Sequence, residues 1–238
     1  MRRCIVMARL ARIVVPGIPH HVTQRGNGRQ RTFFRDEDYA LYRDLLGRAC
    51  REAGVEAWAW CLMPNHVHLI LVPSDADGLR RALSRVHRIY AGAVHARLER
   101  TGHFWQGRFG AAAMDEAYLA AAARYVLLNP VRAGLVRRPA DWRWSSIHAH
   151  LSGADDGVTT TGPVAARFPD IEALLDTRDE ETAAAQQALR RAETIERPAG
   201  DASFLEELET RLGRTVRPRK RGPKPAETNG QKKSALSP

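Results

Sequence analysis

The stretch Trp60-Cys-Leu-Met-Pro-Asn-His-Val-His-Leu-Ile-Leu-Val72 combines an apolar, β-branched run with a Pro64-Asn65 turn and two histidines two residues apart. The turn predicts that residues 55–63 and 66–72 form two strands around it. Since alternate side chains of a strand point to the same face, His66 and His68 are expected to lie side by side. Two neutral imidazoles so placed are a foundation for a divalent-metal site, although a lone His-x-His is as often a core or edge feature.

The elements around these two strands predict the fold. A strand is expected over residues 20–25, a helix over 38–53, a cationic helix over 78–100, a core strand ending near residue 114 and a third helix over 116–128. The order of strand, helix, strand, strand, helix, strand matches the split β-α-β pattern. The predicted class is therefore α+β, with a ferredoxin-like four-stranded antiparallel sheet and helices. This fold hosts many unrelated activities and does not decide the chemistry.

Composition divides the chain into segments. We predict an N-terminal extension at residues 1–12, the sheet domain at 13–151, a Ser/Gly/Asp/Thr-rich linker at 152–170, a helical C-terminal extension at 171–213 and a basic, proline-rich, disordered tail at 214–238.

The chain is strongly basic, since 37 Lys and Arg against 27 Asp and Glu in 238 residues give a formal net charge of +10. A soluble protein this basic usually binds a polyanion, most commonly nucleic acid, although a merely solvated cationic surface is the alternative. Three separated cysteines without a Cys-x-x-Cys argue against a disulfide framework or a thiolate zinc site. No run reaches the ~18 apolar residues of a membrane span, so the predicted location is cytoplasmic, with no membrane partner.

The third predicted helix supplies what a pair of histidines lacks. Tyr125 and Asn129 are four residues apart, so they share a helix face, and Pro130 is expected to end the helix there. An amide oxygen suits a hard cation such as Mg²⁺ or Mn²⁺, and a tyrosine hydroxyl is a candidate nucleophile. Taken alone, Tyr125 is more typical of a core aromatic than of a nucleophile. Tyr118 and Tyr90 are competing candidates, but Tyr118 lacks an amide one turn onward and Tyr90 falls within the apolar pattern of the second helix.

Several separated motifs carry a family resemblance. Met63-Pro-Asn-His-Val-His-Leu-Ile70 and Tyr125-Val-Leu-Leu-Asn-Pro-Val-Arg-Ala-Gly-Leu-Val136 together resemble the His-hydrophobe-His (HUH) single-tyrosine transposases, specifically the REP-associated tyrosine transposases that derive from single-strand insertion-sequence enzymes. Gly102-His-Phe-Trp-Gln-Gly-Arg-Phe109 and Trp142-Arg-Trp-Ser-Ser146 are also similar to segments of that family. The resemblance covers roughly residues 8–151.

The resemblance implies a nuclease domain in which His66, His68 and Asn129 bind Mg²⁺ or Mn²⁺ and Tyr125 is the nucleophile. It further implies that the enzyme cleaves and rejoins single-stranded, hairpin-containing DNA through a covalent 5′-phosphotyrosine, as part of the transposition or recombination of repetitive palindromic elements. Relatives of this kind act as a monomer or a homodimer.

Basic side chains along the chain are the predicted DNA contacts. They are Arg25, Arg29, Arg31, Arg85, Arg88, Arg108, Arg132 and, in the tail, Arg219, Lys220 and Arg221. Phe33, Phe34, Phe104 and Trp105 are candidates for stacking on unpaired bases, with ordinary core packing at least as expected. Two other functions stay open: a non-catalytic DNA- or RNA-binding regulator that retains the fold, and a metal-dependent RNA endonuclease.

Overall fold

The computed structural model describes residues 12–176, 187 and 197–217. The strands are β1 (His20–Arg25), β2 (Val55–Met63), β3 (His66–Pro73) and β4 (Gly110–Ala113). The helices are α1 (Asp36–Ala53), α2 (Gly78–Leu98), α3 (Glu116–Leu127), α4 (Asn129–Arg132), α5 (Ile147–Ser152), α6 (Gly162–Arg167), α7 (Ile171–Asp176) and α8 (Ala202–Leu212). Within this part of the chain, no helix is long and apolar enough to cross a membrane.

The four strands form one antiparallel sheet in the order β2-β3-β1-β4. This is the ferredoxin-like arrangement that the order of elements predicts. In the observed register, Thr23 of β1 and Cys61 of β2 are the neighbours of His68, and Arg25 and Met63 are the neighbours of His66. The beginning of β3 therefore lies beside the end of β1.

The two faces of the sheet carry different helices. Val67, Leu69 and Leu71 of β3 belong to the apolar core that includes α1 and α2. Ile70 and Val72, on the other face, belong to the core that includes α3. Because His66 and His68 alternate with Val67 and Leu69, they lie on the α3 face of the sheet. Helix α2 covers the opposite face.

The helix ends differ slightly from the prediction, for local reasons. Helix α1 begins at Asp36, because the Asp38 carboxylate accepts hydrogen bonds from the backbone N–H groups of Phe34 and Arg35 ahead of the helix. Helix α2 ends at Leu98, since Glu99 adopts a left-handed conformation with φ of 51°. Helix α3 ends at Leu127, as predicted, and Pro130 lies in the first turn of the next helix, α4, where proline is tolerated.

The predicted linker at residues 152–170 is wrong as a bare connection. It contains α6, and Thr160 N–H donates to Ala57 O of β2 at 2.8 Å. Val164 is buried in the α3-side core, and Val158 packs against the α1–α2 side. These two valines, set in a polar stretch, and the hydrogen bond to Ala57 hold the segment against the sheet domain.

The end of the described chain is also attached to the sheet. Ala199 N–H donates to Ala113 O of β4 at 2.8 Å, and α8 packs on Ile13 and Val15. The predicted disordered tail is wrong for its first residues, because Val216 is fully buried in this cluster. Residues 1–11, 177–186, 188–196 and 218–238 lie outside the described part, and with them the rest of the tail and most of the helix predicted after residue 171.

Candidate active site

His66 and His68 begin β3, and each has one ring nitrogen engaged. His66 Nδ1 lies 2.6 Å from Asn65 Oδ1, which can only accept, so His66 carries a proton there and donates it. His68 Nδ1 lies 3.1 Å from His21 Nε2 on β1. His68 Nε2 is buried and has no hydrogen-bond partner among the described residues. With Nδ1 protonated, Nε2 of either ring presents a lone pair, which is the form of imidazole that binds a metal.

The electrostatics of the site keep both rings neutral. Burial, and secondly the positive charge of Arg25, lower the pKa of His66 to about 3. Burial holds the pKa of His68 well below its usual value of 6.5, and the neighbouring His66, His21, Arg25 and Arg132 add to this effect. Neither ring therefore needs to lose a proton near neutral pH before it can bind a cation.

Tyr125 lies against this histidine group, as the sequence predicts. Its ring centroid is 5.1 Å from that of His68 and 5.8 Å from that of His21, both edge-on. Arg132 places its guanidinium carbon 5.0 Å from the centroid of the Tyr125 ring. The side chain is half-buried, so it is neither a closed core residue nor a fully exposed one. The two competitors are set apart: Tyr90 is fully buried and donates to Thr32 O, and Tyr118 packs near the start of α3.

Asn129 begins α4, one helical turn after Tyr125, and is 9% exposed. Helix α4 lies against β2, the strand next to the histidines. The described residues contain no group of three or more His, Cys, Asp or Glu side chains able to hold a metal. Two Nε2 atoms with a third donor from an amide oxygen nevertheless suit Mn²⁺ or Mg²⁺, and the partnerless buried His68 Nε2 fits such an ion.

Two residues of this site were missed by the sequence reasoning. His21 holds His68 across the sheet, and Asn65 holds His66 from the turn. Asn65 also donates from Nδ2 to Arg29 O at 3.0 Å, which ties the basic loop after β1 to the same turn. The position of Asn65 immediately before His66 is a sequence feature that could have identified it. His21 can be identified only from the register in which β1 pairs with β3.

The predicted DNA-contacting arginines fall into separate groups. Arg25 lies beside His66 at the end of β1, and exposed Arg29 and Arg31 follow it in the loop that Asn65 holds. Arg132 lies at Tyr125, and exposed Arg108 precedes β4. Arg85 and Arg88 are on α2, across the sheet from the histidines, and the structure does not bring them to the site. Arg219, Lys220 and Arg221 lie outside the described residues.

The aromatic side chains proposed for base stacking are mainly core residues. Phe33 is fully buried and stacks on Tyr39, and Phe104 is buried against Tyr90. The structure thus favours the core-packing interpretation for these two.

Comparison with known proteins defines the class. The family model described as "Transposase IS200 like" matches residues 15–128, which include the whole sheet and α3. The REP-associated tyrosine transposase of Escherichia coli is 25% identical over 116 residues, covering 48% of this chain and 67% of that protein. A solved structure of a REP-associated tyrosine transposase bound to a REP hairpin aligns with a TM-score of 0.54 and 23% identity, over 63% of this chain and 90% of that chain.

By these matches the sheet domain is similar to transposases, a class of DNA-processing enzymes. The similarity to the IS200-like transposase family extends over residues 15–128, slightly less than half of the chain. The family resemblance carried by the His66 and Tyr125 motifs is thereby confirmed, and the structural match confirms the fold.

Proposed function

We propose that this protein cleaves and rejoins single-stranded, hairpin-containing DNA through a covalent 5′-phosphotyrosine on Tyr125. The observation that carries the proposal is the buried His68 Nε2 atom, which has no hydrogen-bond partner among the described residues and belongs to a ring 5.1 Å from that of Tyr125. A core histidine next to a core tyrosine would ordinarily have both nitrogens satisfied. The pair is better explained as part of a reacting centre.

The residues that would hold a divalent cation are His66, His68 and Asn129. Mg²⁺ or Mn²⁺ bound by them would supply positive charge that neutralises the scissile phosphate. Asn65 orients the His66 ring and His21 orients the His68 ring, each through a hydrogen bond to Nδ1. Metal-binding histidines are usually oriented by such a hydrogen bond to the ring nitrogen that does not bind the metal. Because His68 is buried, water is excluded from its Nε2 atom, the nitrogen that would bind the cation.

Tyr125 would then act as nucleophile. Its hydroxyl oxygen attacks phosphorus and forms a new P–O bond, while the bond from phosphorus to the 3′ oxygen breaks. The phenol releases its proton to solvent, and the departing 3′ oxygen takes one up as a free 3′-OH. The phosphotyrosine conserves the energy of the broken ester, so a 3′-OH can reverse the reaction without ATP. Arg132, over the Tyr125 ring, is positioned to pair with a phosphate oxygen.

The DNA partner is proposed from charge and from the relatives. The structural relative is bound to a REP hairpin, and in this chain Arg25 lies beside His66 at the end of β1, with exposed Arg29 and Arg31 in the loop that follows. Basic side chains next to the reacting centre suit the phosphates of a folded single strand. The substrate class that we propose is therefore a repetitive palindromic element, with a single-stranded flank that reaches Tyr125.

The test is a denaturing gel of the protein with a panel of 5′- and 3′-labelled hairpin oligonucleotides carrying single-stranded flanks. Wild type is expected to give a shortened 3′-OH product and a protein–DNA adduct with Mg²⁺ or Mn²⁺, and neither after chelation. Tyr125→Phe is expected to lose both products, because phenylalanine cannot form the ester. Tyr118→Phe, on the same helix, is the matched control and should cleave normally.

Other outcomes would select a different function. If Tyr125→Phe still cleaved and formed the adduct, the assignment of the nucleophile would be wrong. Binding of every hairpin without any cleavage by wild type would favour a regulator that retains the fold. Cleavage that requires a 2′-OH and leaves no adduct would favour an RNA endonuclease.

A further inference from the structure

A cleft of about 710 Å³ lies beside α3 and α4. One wall comes from these helices through Arg124, Leu128 and Arg132, and the other comes from α5 and α7 through Leu151 and Leu175. The second wall lies beyond residues 15–128, which are the ones that match the family model. The cleft is therefore built partly from a region that the family match does not account for.

The cleft adjoins the proposed nucleophile through a single side chain. Arg132 lines the cleft, and the same guanidinium lies 5.0 Å from the centre of the Tyr125 ring. Tyr125 does not itself line the cleft, so a molecule at this end of the cleft is separated from Tyr125 by the Arg132 side chain. The volume is within the range of about 300–1,000 Å³ that is common for ligand sites.

The chemistry of the walls combines aliphatic and cationic groups. Leu151 is 41% exposed, and Leu128 and Leu175 add further apolar surface. Four arginines line the cleft together with three carboxylates: Arg124, Arg132, Arg137 and Arg138 with Asp141, Glu172 and Asp176. Asp141 is already paired with Arg138 at 2.7 Å, and both remaining carboxylates are on α7. The positive side of the cleft is thus the side that contacts Tyr125.

We infer that this cleft binds an unpaired stretch of single-stranded DNA adjoining the scissile phosphate, an inference that rests on the proposed function. Aliphatic walls remove an unpaired base from water, while arginines at the α4 side take the flanking phosphates. A paired base within a hairpin stem presents no free face to such walls. The cleft therefore distinguishes the flank of the substrate from its stem.

The experiment measures binding by fluorescence anisotropy, with a labelled oligothymidylate of about 12 nucleotides as the probe. Arg137→Gln, at an exposed position of the cleft, is expected to weaken binding by about fivefold and to lower the salt slope by about one. Arg48→Gln, an exposed arginine on α1 across the sheet, is the matched control and should change binding by less than about twofold. Thermal unfolding of both variants checks that they fold.

Cross-linking locates the probe independently. A 4-thiothymidine in the same oligonucleotide, irradiated on the wild-type protein, is expected to attach to peptides that contain residues 124–151 or 171–176. Wild-type affinity of Arg137→Gln together with cross-links elsewhere would overturn the inference. If hairpin cleavage and the adduct nevertheless occurred, the proposed function would stand without this cleft. If Arg137→Gln weakened binding but no adduct ever formed, the cleft would stand without the proposed chemistry.

Discussion

Asn65 links the basic loop to the proposed metal ligand through its two side-chain atoms. Oδ1 accepts from His66 Nδ1 at 2.6 Å, and Nδ2 donates to Arg29 O at 3.0 Å. The same residue therefore orients the imidazole and anchors the loop that carries Arg29 and Arg31. A contact of this kind typically contributes a factor of ten to a hundred in metal affinity.

Replacing Asn65 by alanine is therefore expected to weaken Mn²⁺ binding by about tenfold, because His66 loses the partner that fixes its ring. Titration calorimetry, or the electron paramagnetic resonance signal of free Mn²⁺, measures this change without DNA. Asn65→Asp keeps an acceptor for His66 Nδ1, loses the donor to Arg29 O and adds a negative charge beside the ligand, so it should bind Mn²⁺ at least as tightly as wild type. Equal Mn²⁺ affinity of Asn65→Ala and wild type would remove Asn65 from this role.

At the scale of single residues, the sequence predicts those that lie in one local pattern. His66 and His68 follow from strand alternation, and the approach of Tyr125 to them follows from the motifs. His21 does not follow, because its contact with His68 spans 47 residues and depends on the pairing of β1 with β3. A histidine that sits next to another histidine in the sequence gives no sign of which one faces the site.

Helix α3, the element that carries Tyr125, is anchored at its start by Asp115. The carboxylate Oδ1 accepts from Tyr118 N–H at 2.9 Å as the N-cap, and Oδ2 accepts from Asp201 N–H at 2.9 Å. One side chain thus caps α3 and joins it to the segment before α8. The second contact spans 86 residues.

Asp115→Ala is expected to lower the free energy of unfolding by about 1–2 kcal/mol, since two backbone N–H groups lose their acceptor. Asp115→Asn should lose less, because an amide oxygen still accepts one of these bonds. Urea denaturation followed by circular dichroism compares the variants. Unchanged stability of Asp115→Ala would show that water replaces both bonds at no cost.

At the scale of elements, local periodicity and turn chemistry predict β1, β2, β3 and the three large helices. The segments that the sequence treats as separate are those held by long-range contacts. Thr160 N–H, in the predicted linker, donates to Ala57 O of β2, and Ala199 N–H, in the predicted extension, donates to Ala113 O of β4. Such backbone contacts produce no hydrophobic periodicity in a polar stretch. Composition alone therefore predicts a linker there.

The net charge of +10 already counts every carboxylate, but it does not show where on the molecule the positive charge is compensated. Four arginines of α2 form ion pairs with nearby carboxylates: Arg80 with Asp77, Arg81 with Asp75, Arg85 with Glu52 and Arg97 with Asp38. The cationic face predicted for α2 is therefore largely compensated. Composition gives the number of charges but not their partners. The arginines near the site are distinguished from those of α2 by where they lie in the fold, which composition does not show.

The stability of the whole fold should fall steeply in mild acid because His20 and His87, in addition to His66 and His68 of the site, are buried as neutral rings. His20 Nδ1 donates to Ile18 O, and His20 Nε2 accepts from Val15 N–H. A second ring proton would have to be placed on Nε2, where it would point at the Val15 N–H group. Nε2 of His87 lies 3.0 Å from the Tyr42 hydroxyl. Burial lowers the pKa of His20 to about 4 and that of His87 to about 3.

In the unfolded chain these rings take up protons near pH 6.5, whereas in the folded chain they do so only below about pH 4. Between these values the unfolded state binds more protons, so the free energy of unfolding decreases as the pH falls. The loss is on the order of 3 kcal/mol per histidine by pH 4, a large part of the ~5–15 kcal/mol that holds a typical domain together. Urea denaturation at pH 7 and pH 4.5 measures it.

The variant His87→Gln separates this cause from general acid denaturation. Glutamine does not titrate and can still accept from Tyr42, so the difference in stability between the two pH values should shrink by about one histidine's share. His148→Gln, at an exposed position, is the matched control and should leave the difference unchanged. If His87→Gln kept the full pH dependence of wild type, as His148→Gln should, His87 would not contribute to the loss of stability in acid.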